Sequence, residues 1–460
     1  MMSTKFNDIK EHIKKVYLTY SRPFVIGFSG GKDSSATLQI VWESVNELPM
    51  EKLTNDIFVI TVDTLVETPY IVSYIDSTVE GINVAAKKAR LPIYAHKLTP
   101  KIENSFWVNL IGKGYPAPSQ RFRWCTERLK IEPADRFIQE RVNKYGEVTM
   151  VLGARKAESS SRGQVMEKKK RDALGLSLHP TLPAAYVFTP IEDLTDDEVW
   201  EYLLKNPGTP WGKSNRDLSA MYLNASGGEC PLVLSTSTPS CGNSRFGCWT
   251  CTLVEKDTSM ENLIDSGEEW MQPLVELRDL LSETQDPEVK SKYRSYKRRN
   301  GRASLVRDGS RLSYGPYKFE WRKEFLRVLL RAQKKIQEQG PDKNYELISM
   351  EELKITRKTW KDEEYDWEDS VSKIYLEEIG EALPVDIEDG VFFNSEDLRL
   401  LKDICIKENV QLGMVARLID EERKMHGMSR RAGIINSIDK VLSEEWRTEE
   451  EILESLEADE

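Results

Sequence analysis

Long apolar runs are absent from this chain. No stretch reaches the ~18 consecutive apolar residues of a membrane-spanning helix, and the basic, apolar, small-residue succession of a secretory leader is not seen. This excludes a membrane role and leads to the expectation of a cytoplasmic protein. Cysteine is scarce, six in 460 residues, and cytosolic thiols are rarely held in structural disulfides. Nothing repeats along the chain at a fixed period, which excludes a solenoid or a propeller. Positive charge does not dominate: the net charge is −11, so the global balance alone does not point to nucleic acid. The G-x-x-x-x-G-K-S/T loop of ordinary ATPases is also missing.

A shorter glycine loop stands in its place. Residues 27–39 read GFSGGKDSSATLQ, after the apolar run Pro23-Phe24-Val25-Ile26 and before a helix-like run from Ala36 to Val45. A strand, a glycine turn and a helix bring backbone N–H groups and a helix N-terminus to one point, which binds anions. Gly30 and Gly31 let the backbone approach a phosphate. Lys32 supplies a point charge; Ser29, Ser34 and Ser35 supply hydroxyls, and Ser34 or Ser35 is placed to cap the helix. Asp33 is out of place beside a polyphosphate unless it holds Mg2+ or orients Lys32. The plainer reading, a glycine turn before a surface helix, does not account for so many phosphate-compatible groups directly after an apolar strand.

The first 205 residues alternate between strand and helix patterns. Strands are expected at Phe24–Phe28, Ile57–Val62, Pro92–Leu98 and Val148–Leu152, and helices at Ser34–Val45, Thr68–Arg90 and Pro133–Tyr145. Such alternation predicts an α/β fold, a parallel sheet with helices on both faces. Residues 104–128 interrupt it with glycine, proline and aromatics and read as an inserted active-site loop. The expected division is 1–205 for the strand–helix domain, 206–260 for a cysteine-rich segment, 261–344 for a basic helical region and 345–460 for an acidic, mostly helical region. A stripe at Phe319, Phe325, Leu326, Leu329 and Leu330 marks a helix at Lys318–Gln339. Residues 287–343 hold 17 Lys and Arg against 6 Asp and Glu. That tract suits a nucleic-acid backbone, or else is the polar face of helices packed on the acidic part.

Four of the six cysteines, Cys230, Cys241, Cys248 and Cys251, are spaced C-x10-C-x6-C-x2-C. Four thiolates suit zinc or an iron–sulfur cluster, and spacing does not choose between them. A metal-free redox pair at Cys248 and Cys251 is a further reading. Cys405 sits in an apolar-periodic stretch and reads as a core residue, whereas Cys125 lies beside Arg123 and Trp124, where a thiolate would be favoured.

Ser29-Gly30-Gly31-Lys32-Asp33-Ser34 matches the motif of PP-loop ATP pyrophosphatases, whose fold is the adenine nucleotide alpha hydrolase-like parallel sheet. The resemblance implies cleavage of ATP between its α and β phosphates, with Lys32, Asp33 and Ser34 catalytic and Ser29, Gly30, Gly31 and Ser35 also holding ATP. Val62-Asp63-Thr64 ends the second strand where such folds bind adenosine, which adds Asp63. Residues 115–130, with Arg121, Arg123, Trp124, Cys125 and Lys130, resemble the substrate segment of phosphoadenylyl-sulfate reductases. Gly153-Ala154-Arg155 through Glu158-Ser159 to Arg162 resembles that family's second phosphate-contacting stretch, and Pro190-Ile191-Glu192-Asp193 with Val199-Trp200 its closing strand and helix. The likeness covers roughly residues 20–205.

With the four-cysteine segment and Tyr314-Gly315-Pro316-Tyr317-Lys318-Phe319-Glu320 added, the chain resembles the DndC-type sulfurtransferases of bacterial DNA phosphorothioation. This implies a 4Fe–4S cluster on Cys230, Cys241, Cys248 and Cys251, ATP and Mg2+ as cofactors, and DNA, a cysteine desulfurase and further phosphorothioation-system proteins as partners. The implied reaction replaces a non-bridging oxygen of the DNA backbone by sulfur. Two alternatives stand beside it: a sulfonucleotide reductase or tRNA-type sulfurtransferase, and a DNA-binding scaffold with a degenerate ATP site. The single Cys125 departs from cluster-bearing reductases, which use a Cys-Cys pair, so the reductase ligand set is incomplete.

Overall fold

A run of β-branched and aromatic residues at Ile57–Val62 (β2) lies beside Phe24–Gly27 (β1) in the computed structural model, parallel and in register from Phe24 against Ile57 to Gly27 against Ile60. The structure describes residues 2–158, 160–168, 171–225, 247–254, 256–306, 311–384, 395–425 and 433–457. The sheet is completed by Ile93–Leu98 (β3), Val148–Val151 (β4), Ser177–Leu178 (β5) and Ala185–Phe188 (β6), in the order β3-β2-β1-β4-β6-β5. All neighbours are parallel except β5, which pairs antiparallel with β6 at the edge.

Side chains alternate between two cores because a strand's period is two. Phe24, Ile26, Ile57 and Val59 enter one core, whereas Val25, Phe58, Ile60 and Met150 enter the other. Helices therefore cover both faces, as the alternation predicts. On the first face lie Met2–Thr19 (α1), Lys32–Asn46 (α2) and Pro69–Ala89 (α3); on the second lies Glu132–Tyr145. α3 keeps its expected ends. The Thr68 hydroxyl accepts from the Ile71 N–H, Pro69 takes the first turn, and Arg90 closes the helix with φ +55°. α1 is absent from the sequence reading, although Phe6, Ile13, Val16 and Tyr17 form a helical stripe and all enter the core. Burying such side chains contributes about 1.5–3 kcal/mol each.

One expected strand is a turn. Pro190–Asp193 bends, because Glu192 N–H donates to Thr189 O (3.2 Å) and the Thr189 hydroxyl to Glu192 Oε2 (2.8 Å). The closing strand is Ala185–Phe188, five residues earlier at its start.

The chain divides into two units, 1–106 with 118–278, and 107–117 with 279–460. Residues 104–128, read as one inserted loop, are thus split between them. The second unit is mainly helical, with Phe319–Gln339, Met350–Glu363, Ser370–Ile379 and further helices to Glu457. Phe325, Leu326, Leu329 and Leu330 of the expected stripe are fully buried there. Arg322 is buried too and donates to the carbonyls of Ile111 and Gly112, and Trp360 Nε1–H also donates to Ile111 O (2.9 Å). Among the described residues no helix is long and apolar enough to cross a membrane.

Candidate nucleotide site and cysteine turn

β1 ends at Gly27, and after Phe28-Ser29-Gly30-Gly31 the chain enters α2. Gly30 has φ +79°, which L side chains rarely adopt, and a β-carbon there would lie 3.2 Å from the Tyr74 ring. Neither Ser34 nor Ser35 caps the helix: Gly31 takes the N-cap position without a side-chain bond. Ser34 instead donates to Gly31 O (2.9 Å) and lies 3.0 Å from Ser29 Oγ, which accepts from Gly31 N–H (3.3 Å). The serines thereby hold the loop's curvature. The Lys32 N–H donates to the Tyr222 hydroxyl (3.0 Å), and Lys32 Nζ lies 5.3 Å from the centre of that ring. Tyr222 belongs to the helix Asn215–Ala225.

Asp33 is 1% exposed and receives both arms of Arg155, itself 2% exposed: Nε to Oδ1 at 2.5 Å and Nη2 to Oδ2 at 3.2 Å. Arg155 also donates to Asp196 Oδ1 (2.9 Å), on the first turn of the helix Asp196–Lys205. Lys32 Nζ lies 3.4 Å from Asp33 and 3.3 Å from Asp196. Of the two parts expected of Asp33, this geometry matches orientation of Lys32. Burial opposes the Arg155 charge, but the two carboxylates outweigh it and hold its pKa above the ordinary value. β4 leads to Arg155 through Gly153, where a β-carbon would meet Asp33 O at 2.7 Å and Ser34 N at 2.9 Å.

At the end of β2, Asp63 is buried, accepts from Leu65 N–H (2.8 Å) and faces Lys97 at 3.7 Å. The next turn meets the cysteines. Glu67 and Cys248 form an antiparallel bridge, and Trp249 N–H donates to Val66 O (3.0 Å). Cys248 Sγ lies 3.3 Å from Thr64 Oγ1 and donates to Glu67 Oε1 at 3.5 Å. Burial pushes the Cys248 thiol well up, and the Glu67 charge adds to it. Burial raises Glu67 also, against the pull of the Lys130 ammonium. Cys251 N–H donates to Cys248 O (3.2 Å), the tight turn that lets two thiols face one metal. Arg278, buried, donates to the carbonyls of Cys251 and Val254 and holds that turn.

The expected substrate segment is tied to the same turn. Thr252 donates to Pro118 O (2.7 Å) and Gln120 to Leu253 O (3.1 Å). Arg121 is exposed, Arg123 is half-buried and donates to Gln120, and Cys125 is half-buried in the turn Trp124–Thr126. Trp124 is buried in a stack on Phe106, with ring centres 5.4 Å apart. Arg162 lies in the helix Ser160–Lys168, while Ser159, Cys230 and Cys241 lie outside the described residues. Among the described residues no group of three or more His, Cys, Asp and Glu forms a metal site, and of the four cysteines expected to hold a cluster Cys248 and Cys251 share one turn.

Residues 23–253, half of the chain, match the model of the phosphoadenosine phosphosulfate reductase domain. The chain belongs to that family. A protein of Methanocaldococcus jannaschii described as uncharacterized is 30% identical over 201 residues, 44% of this chain and 35% of that protein. The chain thus spans about a third of the length of this relative. Among solved structures, a phosphoadenylyl-sulfate reductase from Candida auris in a phosphate complex is 14% identical over 46% of this chain and 84% of that one, with TM-score 0.29. A U34-tRNA thiolase, NcsA, from Methanococcus maripaludis, solved with its 4Fe–4S cluster, is 12% identical over 62% of this chain and 80% of that one, with TM-score 0.30.

Sequence reasoning missed Asp196, Tyr222, Glu67 and Arg278, and it named Thr64 at the end of the second strand without its contact to a thiol. Asp196 had a local signal, since Thr195 and Glu198 form a capping box that starts a helix. The others act through contacts with residues 27 to 190 positions away, for which a linear pattern holds no signal, or, for Thr64 and Glu67, through a thiol 184 and 181 positions on.

Proposed function

We propose that this chain is an ATP pyrophosphatase and sulfurtransferase that places sulfur in the DNA backbone. The observation that carries the reading is the meeting of two chemistries on one sheet edge: the SGGKDS loop leaves β1, and the turn after the adjacent β2 carries Cys248 against Glu67. In the reaction, a non-bridging oxygen of a DNA phosphodiester attacks the α-phosphorus of ATP, and the α–β bond breaks to release pyrophosphate. Adenylation turns that oxygen into a good leaving group. A sulfur nucleophile then forms a bond to the DNA phosphorus, and AMP leaves with the oxygen. Sulfur delivered as a persulfide by a cysteine desulfurase is freed when a second thiol cleaves the S–S bond and becomes a disulfide.

Lys32 and the loop amides stabilise charge on the departing pyrophosphate. Asp33 and Asp196 hold Lys32 in place, and Gly153 allows Arg155 to lock Asp33. Both Asp33 oxygens are engaged by Arg155, which does not fit a direct magnesium ligand, so Mg2+ belongs with the polyphosphate. Cys248 and Cys251 fit a metal turn, and with Cys230 and Cys241 they would hold a 4Fe–4S cluster. Such a cluster would supply a redox or sulfur-carrying centre.

The deciding experiment follows labelled ATP and Mg2+ with anaerobically purified protein, with and without duplex DNA. AMP and pyrophosphate, increased by DNA, are expected; ADP would overturn the reading. A second reading is reduction of a sulfonucleotide or sulfur transfer to tRNA, and the family match over residues 23–253 favours its sulfonucleotide branch. Sulfite released from adenylyl sulfate, or AMP formation stimulated by tRNA alone, would select it.

A further inference from the structure

The basic tract sorts into two sets within the second unit. One set is neutralised by acidic helices. Arg331 makes two 2.7 Å bonds to Glu378, Arg327 lies 3.6 Å from Glu377, Arg299 lies 3.6 Å from Glu363, and Arg322 meets Glu364. For these residues the packing reading of the tract holds.

The other set lies on a doubled-back stretch, residues 290–306 with 311–317. Gly315 N–H donates to Ser295 O (2.7 Å) and Ser295 N–H to Pro316 O (2.8 Å). Lys297 bridges Ala303, and Leu305 bridges Leu312. Doubling back brings the charges of Arg311 and Arg294 to bear on Lys290, that of Arg298 to bear on Arg294, and Arg298 against Ser313. Among the described residues no carboxylate forms an ion pair with this group. Arg294 donates to the carbonyls of Gly315 (2.8 Å) and Tyr314 (2.7 Å), and Arg298 to the Ser313 hydroxyl (3.0 Å). Among the described residues neither Lys290 nor Arg311 has an ion pair. Of the acidic side chains that reach the stretch, Glu444 pairs with Arg417 and Glu445 with Arg447, both near Lys297, while Glu449 accepts from the Tyr314 hydroxyl and Glu283 from the Tyr293 hydroxyl. Burial and then the charges of Arg311 and Arg294 hold the Lys290 ammonium below its ordinary pKa.

Four cations kept near one another, with no ion-pair partner among the described residues, repel one another, and a bound polyanion relieves that repulsion. Arg298 and Arg311 are exposed on the stretch, where a chain of phosphates can reach them. We propose that Lys290, Arg294, Arg298 and Arg311 form a contact surface for the phosphate backbone of duplex DNA. The proposal rests on the DNA reading above and deepens it. Its contacts position the duplex and carry no sequence information.

The test uses the full chain and a fluorescent duplex, with binding read by anisotropy between about 50 and 200 mM salt. The double variant Arg298→Ala/Arg311→Ala changes two exposed side chains and is expected to fold, with an unchanged circular dichroism spectrum. It should bind at least about tenfold more weakly at low salt and lower the slope of log K against log salt by about two. Arg331→Ala, which removes a cation already paired with Glu378, should leave the slope unchanged. Wild-type affinity and slope in the double variant would overturn this surface and leave the DNA reading standing. Absence of DNA binding by the wild-type chain would overturn both. Tighter binding of tRNA than of duplex, lost in the same variant, would overturn the choice of DNA.

Discussion

Gly153 shows how little room the loop has. A methyl group there would lie 2.7 Å from the Asp33 carbonyl and 2.9 Å from the Ser34 nitrogen, both backbone atoms that cannot swing aside. Gly153→Ala should therefore cost about 1–3 kcal/mol and abolish ATP binding by shifting the start of α2. Gly208→Ala, where a β-carbon meets nothing within 4 Å, should leave melting temperature and binding unchanged. Tyr222 offers a second prediction. Its hydroxyl accepts the Lys32 N–H, an amide that a bound phosphate oxygen would take. Removing the hydroxyl leaves that amide unsatisfied only in the empty site, at about 1–3 kcal/mol. Tyr222→Phe should then tighten pyrophosphate binding several-fold by calorimetry; weaker binding would show that the hydroxyl serves the nucleotide. Ser29, Gly30, Gly31, Lys32 and Ser34 were legible as a loop because their types and order are themselves the chemistry. The partners Asp196 and Tyr222 were not, because each reaches the loop by folding back from more than 160 positions away.

Elements followed local periodicity where that periodicity was strong. β2, α3 and the helix Phe319–Gln339 lie within a residue or so of their expected ends, since apolar spacing and capping residues set them. The closing strand was misplaced because Thr189 and Glu192 make a turn of an apolar-looking stretch. That turn predicts a pH dependence. Burial pushes the Glu192 carboxyl up, but hydrogen bonds from Arg171 and Thr189 and the nearby Lys156 outweigh it, and its pKa lies below the ordinary 4.5. A depressed carboxylate contributes stability that is fully present above 4.5 and is lost as pH falls through the folded value. Wild type should thus be more stable than Glu192→Gln at neutral pH, with the gap closing below pH 4.5, as read by denaturant melts at each pH. A gap independent of pH would show that the pair contributes only packing. In α1, Ile13→Ala, at a fully buried site, should cost about 2–5 kcal/mol.

For the molecule as a whole, the question is whether the cysteine turn and the loop are separable parts. Cys248→Ser, reconstituted anaerobically, should hold much less iron and sulfide than wild type while binding ATP with similar affinity. Full iron in the variant would remove Cys248 from the ligand set. The amino-acid sequence by itself determined the strand, glycine loop and helix, the α/β alternation and the cysteine spacing, because each is written in neighbours a few residues apart. Tertiary structure alone decided which groups meet: Asp33 with Arg155, Cys248 with Glu67, residues 107–117 with the second unit, and which basic residues keep a carboxylate partner. Those pairings join residues tens to hundreds of positions apart, and burial of the two sheet faces, not any local pattern, brings them into contact.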